Sequence, residues 1–226
     1  MSEIVSSPFF GLVISIVCYW IGAWIQKKIK SPAANPLLMA ILLILVFFKL
    51  FNIRLTDYSA GGNMISVFLA PVTALLALSV YKKLSLLKKN LLPILLGCLA
   101  GALTSMASVY ALCRLFGLND ALTASLLPKS VTTPIAIEVS QRLGGTAPVT
   151  VAAVVITGIM GAILSPWLIK LLRVRSAVAA GVGIGACSHA VGTSKAVEMG
   201  EVEGAMSGLS LCLSGILTVL LSQFIG

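Results

Sequence analysis

Six stretches of this chain carry no charged side chain: residues 8–25, 31–48, 58–81, 90–113, 143–169 and 204–226. Crossing the hydrocarbon of a bilayer as an α-helix takes roughly 20 apolar residues, and a run of about 18 already qualifies. The six runs therefore predict six crossings and an all-α, polytopic integral membrane protein. Composition points the same way: of 226 residues, 58% are apolar and 10% charged. A soluble domain carries about 25% charged residues. This chain cannot cover a water-facing surface, so its solvent is the lipid bilayer.

Net charge is +9, and position matters more than the sum. Ten of the sixteen basic residues form three clusters: Lys27, Lys28 and Lys30; Lys82, Lys83, Lys88 and Lys89; Lys170, Arg173 and Arg175. Lysine and arginine in short loops stay cytoplasmic, so these clusters set orientation. No basic soluble segment exists to carry a nucleic acid, and that partner is not expected. Only Glu3 precedes the first run, whose lysines follow it. It lacks the basic leader of a signal peptide and is expected to be a retained span with its N-terminus outside. Cys18, Cys98, Cys113, Cys187 and Cys212 lie in or beside apolar runs without a CxxC pair, and small-residue packing is expected of them. With one histidine and no acid cluster inside the membrane, neither a metal nor a cofactor is expected.

Counted from outside, residues 8–25 cross inward, 36–51 outward, 62–81 inward and 91–112 outward, and every lysine loop falls inside. A full crossing by 121–142 would then strand Lys170, Arg173 and Arg175 outside. The conflict vanishes if 121–142 dips in and returns to the same face. Broken backbone at membrane depth is tolerated where protein or a watery cavity surrounds it. Pro128 and Pro134 supply the break. Residues 148–169 then cross inward. Residues 177–200 hold no uncharged run long enough to span. They read as a second dip, from the inside, and leave 204–225 as the last crossing.

The dips hold the polar groups. The first carries Lys129, Ser130, Thr132, Thr133 and Glu138; the second carries Ser188, His189, Thr193, Lys195 and Glu198. An ionisable side chain in a membrane costs about 3 kcal/mol or more, so it faces a cavity, a partner or a permeating solute. Lys129 offers a fixed positive charge to an anion, or else an ion pair to Glu138. Ser130, Thr132 and Thr133 donate to a substrate oxygen or restore backbone bonds freed by the prolines. His189 binds a carboxylate, relays a proton or makes an interhelical hydrogen bond. Ser188 beside it does not make a hydrolase, because neighbours on a helix do not face each other and no GxSxG elbow exists. No enzymatic activity is expected. Gly181-x-Gly183-x-Gly185 follows no strand and predicts close helix packing rather than a dinucleotide site. Glu198, Glu201 and Glu203 are placed at a solvated cytoplasmic boundary.

A weak internal similarity accompanies the two dips. At an offset of sixty, Thr133, Ala136 and Glu138 match Thr193, Ala196 and Glu198; at fifty-seven, Gly158 and Ser165 match Gly215 and Ser222. Each unit is a polar dip followed by a span, and one crossing separates them, which makes an inverted repeat. Interrupted segments at corresponding positions point to a substrate site near the midplane.

The stretch Ser125-Leu126-Leu127-Pro128-Lys129-Ser130-Val131-Thr132-Thr133-Pro134-Ile135-Ala136 resembles the signature of the LrgB/CidB membrane protein family. So does Ala186-Cys187-Ser188-His189-Ala190-Val191-Gly192-Thr193, followed by Glu198 and Glu203-Gly204-Ala205. Asn35-Pro36-Leu37-Leu38 and Pro71-Val72-Thr73-Ala74 extend the likeness over essentially the whole chain, as one domain, 1–226. One departure is Ser79, where relatives tend to carry a proline. The resemblance implies two functions. One is alternating-access transport of small monocarboxylates of the pyruvate, glycolate or glycerate type. Lys129 would fix the carboxylate, Ser130, Thr132 and Thr133 would donate to it, and Ser188, His189 and Thr193 would complete the site. The alternative is holin- or antiholin-like control of murein hydrolase activity and cell lysis, with a small LrgA/CidA-type membrane partner. A homodimer in the bacterial plasma membrane is the expected assembly.

Overall fold

The computed structural model describes residues 7–29, 35–68, 71, 74, 78, 81–82 and 84–225, and every regular element among them is an α-helix. The chain divides into two compact units, Met1–Leu75 and Leu76–Gly226.

The first unit holds α1 (Pro8–Ile29), α2 (Pro36–Phe51) and α3 (Leu55–Ser66). Asn35 starts α2: its side-chain oxygen accepts from the N–H groups of Leu37 at 2.9 Å and Leu38 at 3.3 Å. Pro36 fits the next position because the N–H it lacks would have had no helical partner. Asn52 closes the helix in the left-handed region at φ 52°, which asparagine tolerates. The Ser15 hydroxyl ties α1 to α3 through the Tyr58 hydroxyl at 2.7 Å. With 16 residues, α2 is about 24 Å long, short of the roughly 30 Å hydrocarbon core. Nine of the twenty residues of the predicted crossing 62–81, Val72, Thr73 and Ser79 among them, lie outside the described residues.

The second unit holds α4 (Leu84–Lys89), α5 (Leu91–Leu115), α6 (Asp120–Leu126), α7 (Thr133–Arg142), α8 (Ala147–Leu171), α9 (Ala177–Met199) and α10 (Glu201–Ser222). Helices α1, α5, α8 and α10 are long and apolar enough to cross a membrane. Two apolar clusters mark the ends of the second unit. One joins Ile94 and Cys98 of α5 to Val182 of α9 and Ala205 and Met206 of α10. The other joins Met106, Val109 and Cys113 of α5 to Leu127, with Leu118, Leu126, Leu143 and Leu221 packed on it. So α5 and α10 run parallel.

Leu118 and Leu126 precede the first dip and Leu143 follows it, yet all three pack at one end. The Thr146 N–H donates to Ser125 Oγ at 2.7 Å and closes the hairpin. The chain goes in and comes back. Helix α8 then carries Lys170, Arg173 and Arg175 to the end where α5 begins, just after Lys88 and Lys89. The return that the charge pattern demanded is present.

The second dip lies within α9. His189 has φ 41° and ψ −142°, which reverses the chain. Before it, Gly181 packs on Glu203 and Met206, and Gly185 on Ser207 and Ser210, so this half runs parallel to α10. After it, Thr193 pairs with Ser207 and Val197 packs on Gly204, so the second half runs back. Both halves meet the same end of the unit, opposite to the mouth of the first dip. Small residues let these backbones approach, which matters because lipid tails offer no hydrophobic drive between helices.

Candidate functional site

The tip of the first dip is built from the break between α6 and α7. Asn119 caps α6 by accepting from the Leu122 N–H at 2.8 Å. Helix α6 lasts only seven residues, and buried Pro128 then bars its continuation. Ser130 meets Ser105, near the middle of α5, hydroxyl to hydroxyl at 2.8 Å. That contact sets the tip at mid-span depth. Helix α7 starts after Thr132, whose side chain makes no capping bond. Its first N–H groups therefore lack side-chain partners and carry the positive end of the helix dipole. Lys129 stands beside them, half-buried, and forms no ion pair with any carboxylate of the described residues. Glu138 is exposed on α7 and does not neutralise it.

The tip of the second dip is held from several directions. His189 Nε2–H donates to the Val154 carbonyl of α8 at 2.8 Å. The ring lies against Gly158, where an added methyl would stand 2.7 Å from Nε2, and the Ser188 side chain lies against Gly161. Thr193 donates to the His189 carbonyl at 2.8 Å. Having spent its one hydrogen there, it accepts from Ser207 Oγ at 2.9 Å. A left-handed φ costs a non-glycine residue of order 1–3 kcal/mol, and this surround holds it in place.

The two tips come within electrostatic range of each other: the charge on Lys129 acts on Cys187 and on His189. Of the seven site residues predicted from sequence, Lys129 and His189 stand at the two breaks, Thr132 and Thr133 open α7 beside Lys129 in the chain, and Ser130 is tied to Ser105. Ser188 and Thr193 are turned away, to Gly161 and Ser207, where they hold the shape of the second dip. No hydrogen bond joins Ser188 to His189 among the described residues; the imidazole Nε2–H goes to Val154. Sequence reasoning missed Ser105 and Cys187 as neighbours and missed the Gly158-x-x-Gly161 seat. Only the glycine pair left a local signal, a small-residue spacing on an apolar helix.

Across residues 15–226 the sequence matches the LrgB-like family. Proteins named antiholin-like protein LrgB from Bacillus mycoides (strain KBAB4), Bacillus cereus (strain B4264) and Bacillus anthracis are similar to it. Each is 36% identical over 214 residues, which is 94% of this chain and 93% of the relative. No solved structure matches it. With four helices among the described residues long and apolar enough to cross a membrane, it is a multi-pass bacterial membrane protein, and the chain belongs to the LrgB-like family.

Proposed function

We propose that this chain is an antiholin-like regulator of murein hydrolase activity and cell lysis, acting with a small LrgA/CidA-type membrane partner. The names of its relatives support that role ahead of the transporter expected from the sequence. The test is autolysis of bacteria lacking the chain, with and without the partner supplied. Faster autolysis in its absence, reversed only when chain and partner are both restored, is the expected result. An unchanged rate removes the regulatory role.

The geometry favours a second reading at the molecular level, transport of a small monocarboxylate, through which regulation would act. One observation carries it: a lysine at mid-span depth without a counter-ion among the described residues, set between an uncapped helix start and the opposing dip. A carboxylate bound there would meet a cation beside the positive end of α7, whose first residues bring the Thr132 and Thr133 hydroxyls. No enzymatic step belongs to either role. Full-length protein in liposomes should take up pyruvate with saturation. Lys129→Ala should lower that uptake about 30-fold or more, the cost of losing a charge partner in a dry site. Normal uptake by correctly inserted Lys129→Ala would take Lys129 out of the site.

A further inference from the structure

We infer that Lys129 and His189 are the repeat-equivalent residues of the two dips, and that together they take a carboxylate and a proton, so that transport is proton-coupled. This rests on the transport reading above. At the offset that aligns Thr133 with Thr193 and Glu138 with Glu198, Lys129 falls on His189. The fold treats them alike. Each stands at the break between two half-helices, and His189 lies within range of the charge on Lys129. The spans repeat the relation crosswise. Gly158 of α8 lies 2.9 Å, by its added methyl, from Cβ of Val191 in the second dip. Its counterpart Gly215 of α10 lies 2.8 Å, measured the same way, from Cδ1 of Ile135 in the first. A solute between the tips therefore meets Lys129 from one repeat and His189 from the other.

The imidazole is equipped for proton exchange at one atom. A carbonyl can only accept, so Nε2 keeps its hydrogen for Val154. Nδ1 makes no hydrogen bond with the described residues, which leaves its lone pair free to take a proton. The charged and titratable groups around the ring are few. The first dip contributes Lys129; the second contributes Cys187, which lies within electrostatic range of Cys98 of α5. Helix α8 meets the ring with Val154 and Gly158, and α10 meets this dip with Ser207 and Ser210. Glu198 is paired with Lys195 at 2.8 Å, and Glu203 lies by Gly181 and Gly200, away from the tip.

A second positive charge beside Lys129 is tolerated only once an anion sits between the two. By linkage, carboxylate and proton then promote each other's binding. The carboxylate settles on Lys129, and a proton from the aqueous side forms an N–H bond with the Nδ1 lone pair. On the other face the carboxylate leaves and that bond breaks to return the proton to water. One negative and one positive charge move together, so no net charge crosses.

The test uses the full-length chain in liposomes that enclose a pH-sensitive dye, with the potential clamped by potassium and valinomycin and protein-free liposomes as baseline. Added pyruvate should acidify the lumen by about one proton per pyruvate, and each unit of inside-alkaline gradient should raise accumulation about tenfold. His189→Gln, which can still donate to Val154, should lose both effects. Wild-type uptake that carries current and leaves lumenal pH unchanged overturns proton coupling alone. No pyruvate uptake under any gradient overturns the transport reading, and the inference with it. Acidification that persists in well-folded His189→Gln overturns the assignment to His189.

Discussion

Ser130 shows what a single residue does at the first tip. It is buried, and its hydroxyl has one described partner, Ser105, 2.8 Å away. Ser105→Ala leaves that hydroxyl without its bond, which costs about 1–3 kcal/mol. The loop that carries Lys129 should loosen, so the KM for pyruvate should rise more than kcat falls. An unchanged KM, with a normal melting temperature in detergent, would reduce the pair to a bystander. Ser165 provides the contrast. Its buried Oγ has no partner among the described residues, so Ser165→Ala should leave thermal stability unchanged or raise it by up to about 1 kcal/mol. The candidates were legible, because Lys129, Thr132, Thr133 and His189 stand out against apolar neighbours. Ser105 was not, since its partner lies 25 residues away and a serine in a membrane helix has no periodic signature. Thr193 and Ser188 were read as donors to a solute, but their hydroxyl positions answer to Ser207 and Gly161, which no local pattern announces.

At the scale of elements, α8 is the seat of the second dip. An added methyl at Gly158 would stand 2.7 Å from His189 Nε2, and the ring cannot retreat while it donates to Val154 of the same helix. Gly158→Ala should therefore lower stability by about 1–3 kcal/mol, the usual cost of overpacking, and should disturb the tip. Gly183 of α9 is the matched control, since a methyl there meets nothing within 4 Å. Gly183→Ala should be neutral or stabilise by up to about 1 kcal/mol, the ordinary helix preference for alanine. Melting in detergent distinguishes the two, and equal losses would refute the seat. The spans were legible because uncharged length alone decides them: the expected 91–112, 148–169 and 204–225 became Leu91–Leu115, Ala147–Leu171 and Glu201–Ser222. The first break was legible from its prolines. The second was placed only somewhere in 177–200, because no proline marks it. Its reversal depends on one histidine held at φ 41° by tertiary contacts.

At the scale of the molecule, topology follows from charge. Loops rich in lysine and arginine resist translocation, and three such loops share a side only if residues 121–142 return to the face they left. The second unit meets that demand: Leu118, Leu126 and Leu143 gather at one end, while the start of α5 and the tail of α8 lie at the other. The opposed dips then hold broken backbone inside protein, where helix ends and polar side chains can be satisfied. Single cysteines placed in a background without the native five should report this directly. Asp120→Cys and Arg142→Cys flank the first dip and should react with an impermeant maleimide from one compartment. Lys89→Cys and Arg173→Cys should react only from the other. Labelling of Asp120→Cys and Arg142→Cys from different sides would make 121–142 a full crossing. The two repeats would then no longer be opposed, and Lys129 and His189 would lose the relation that lets them share one anion.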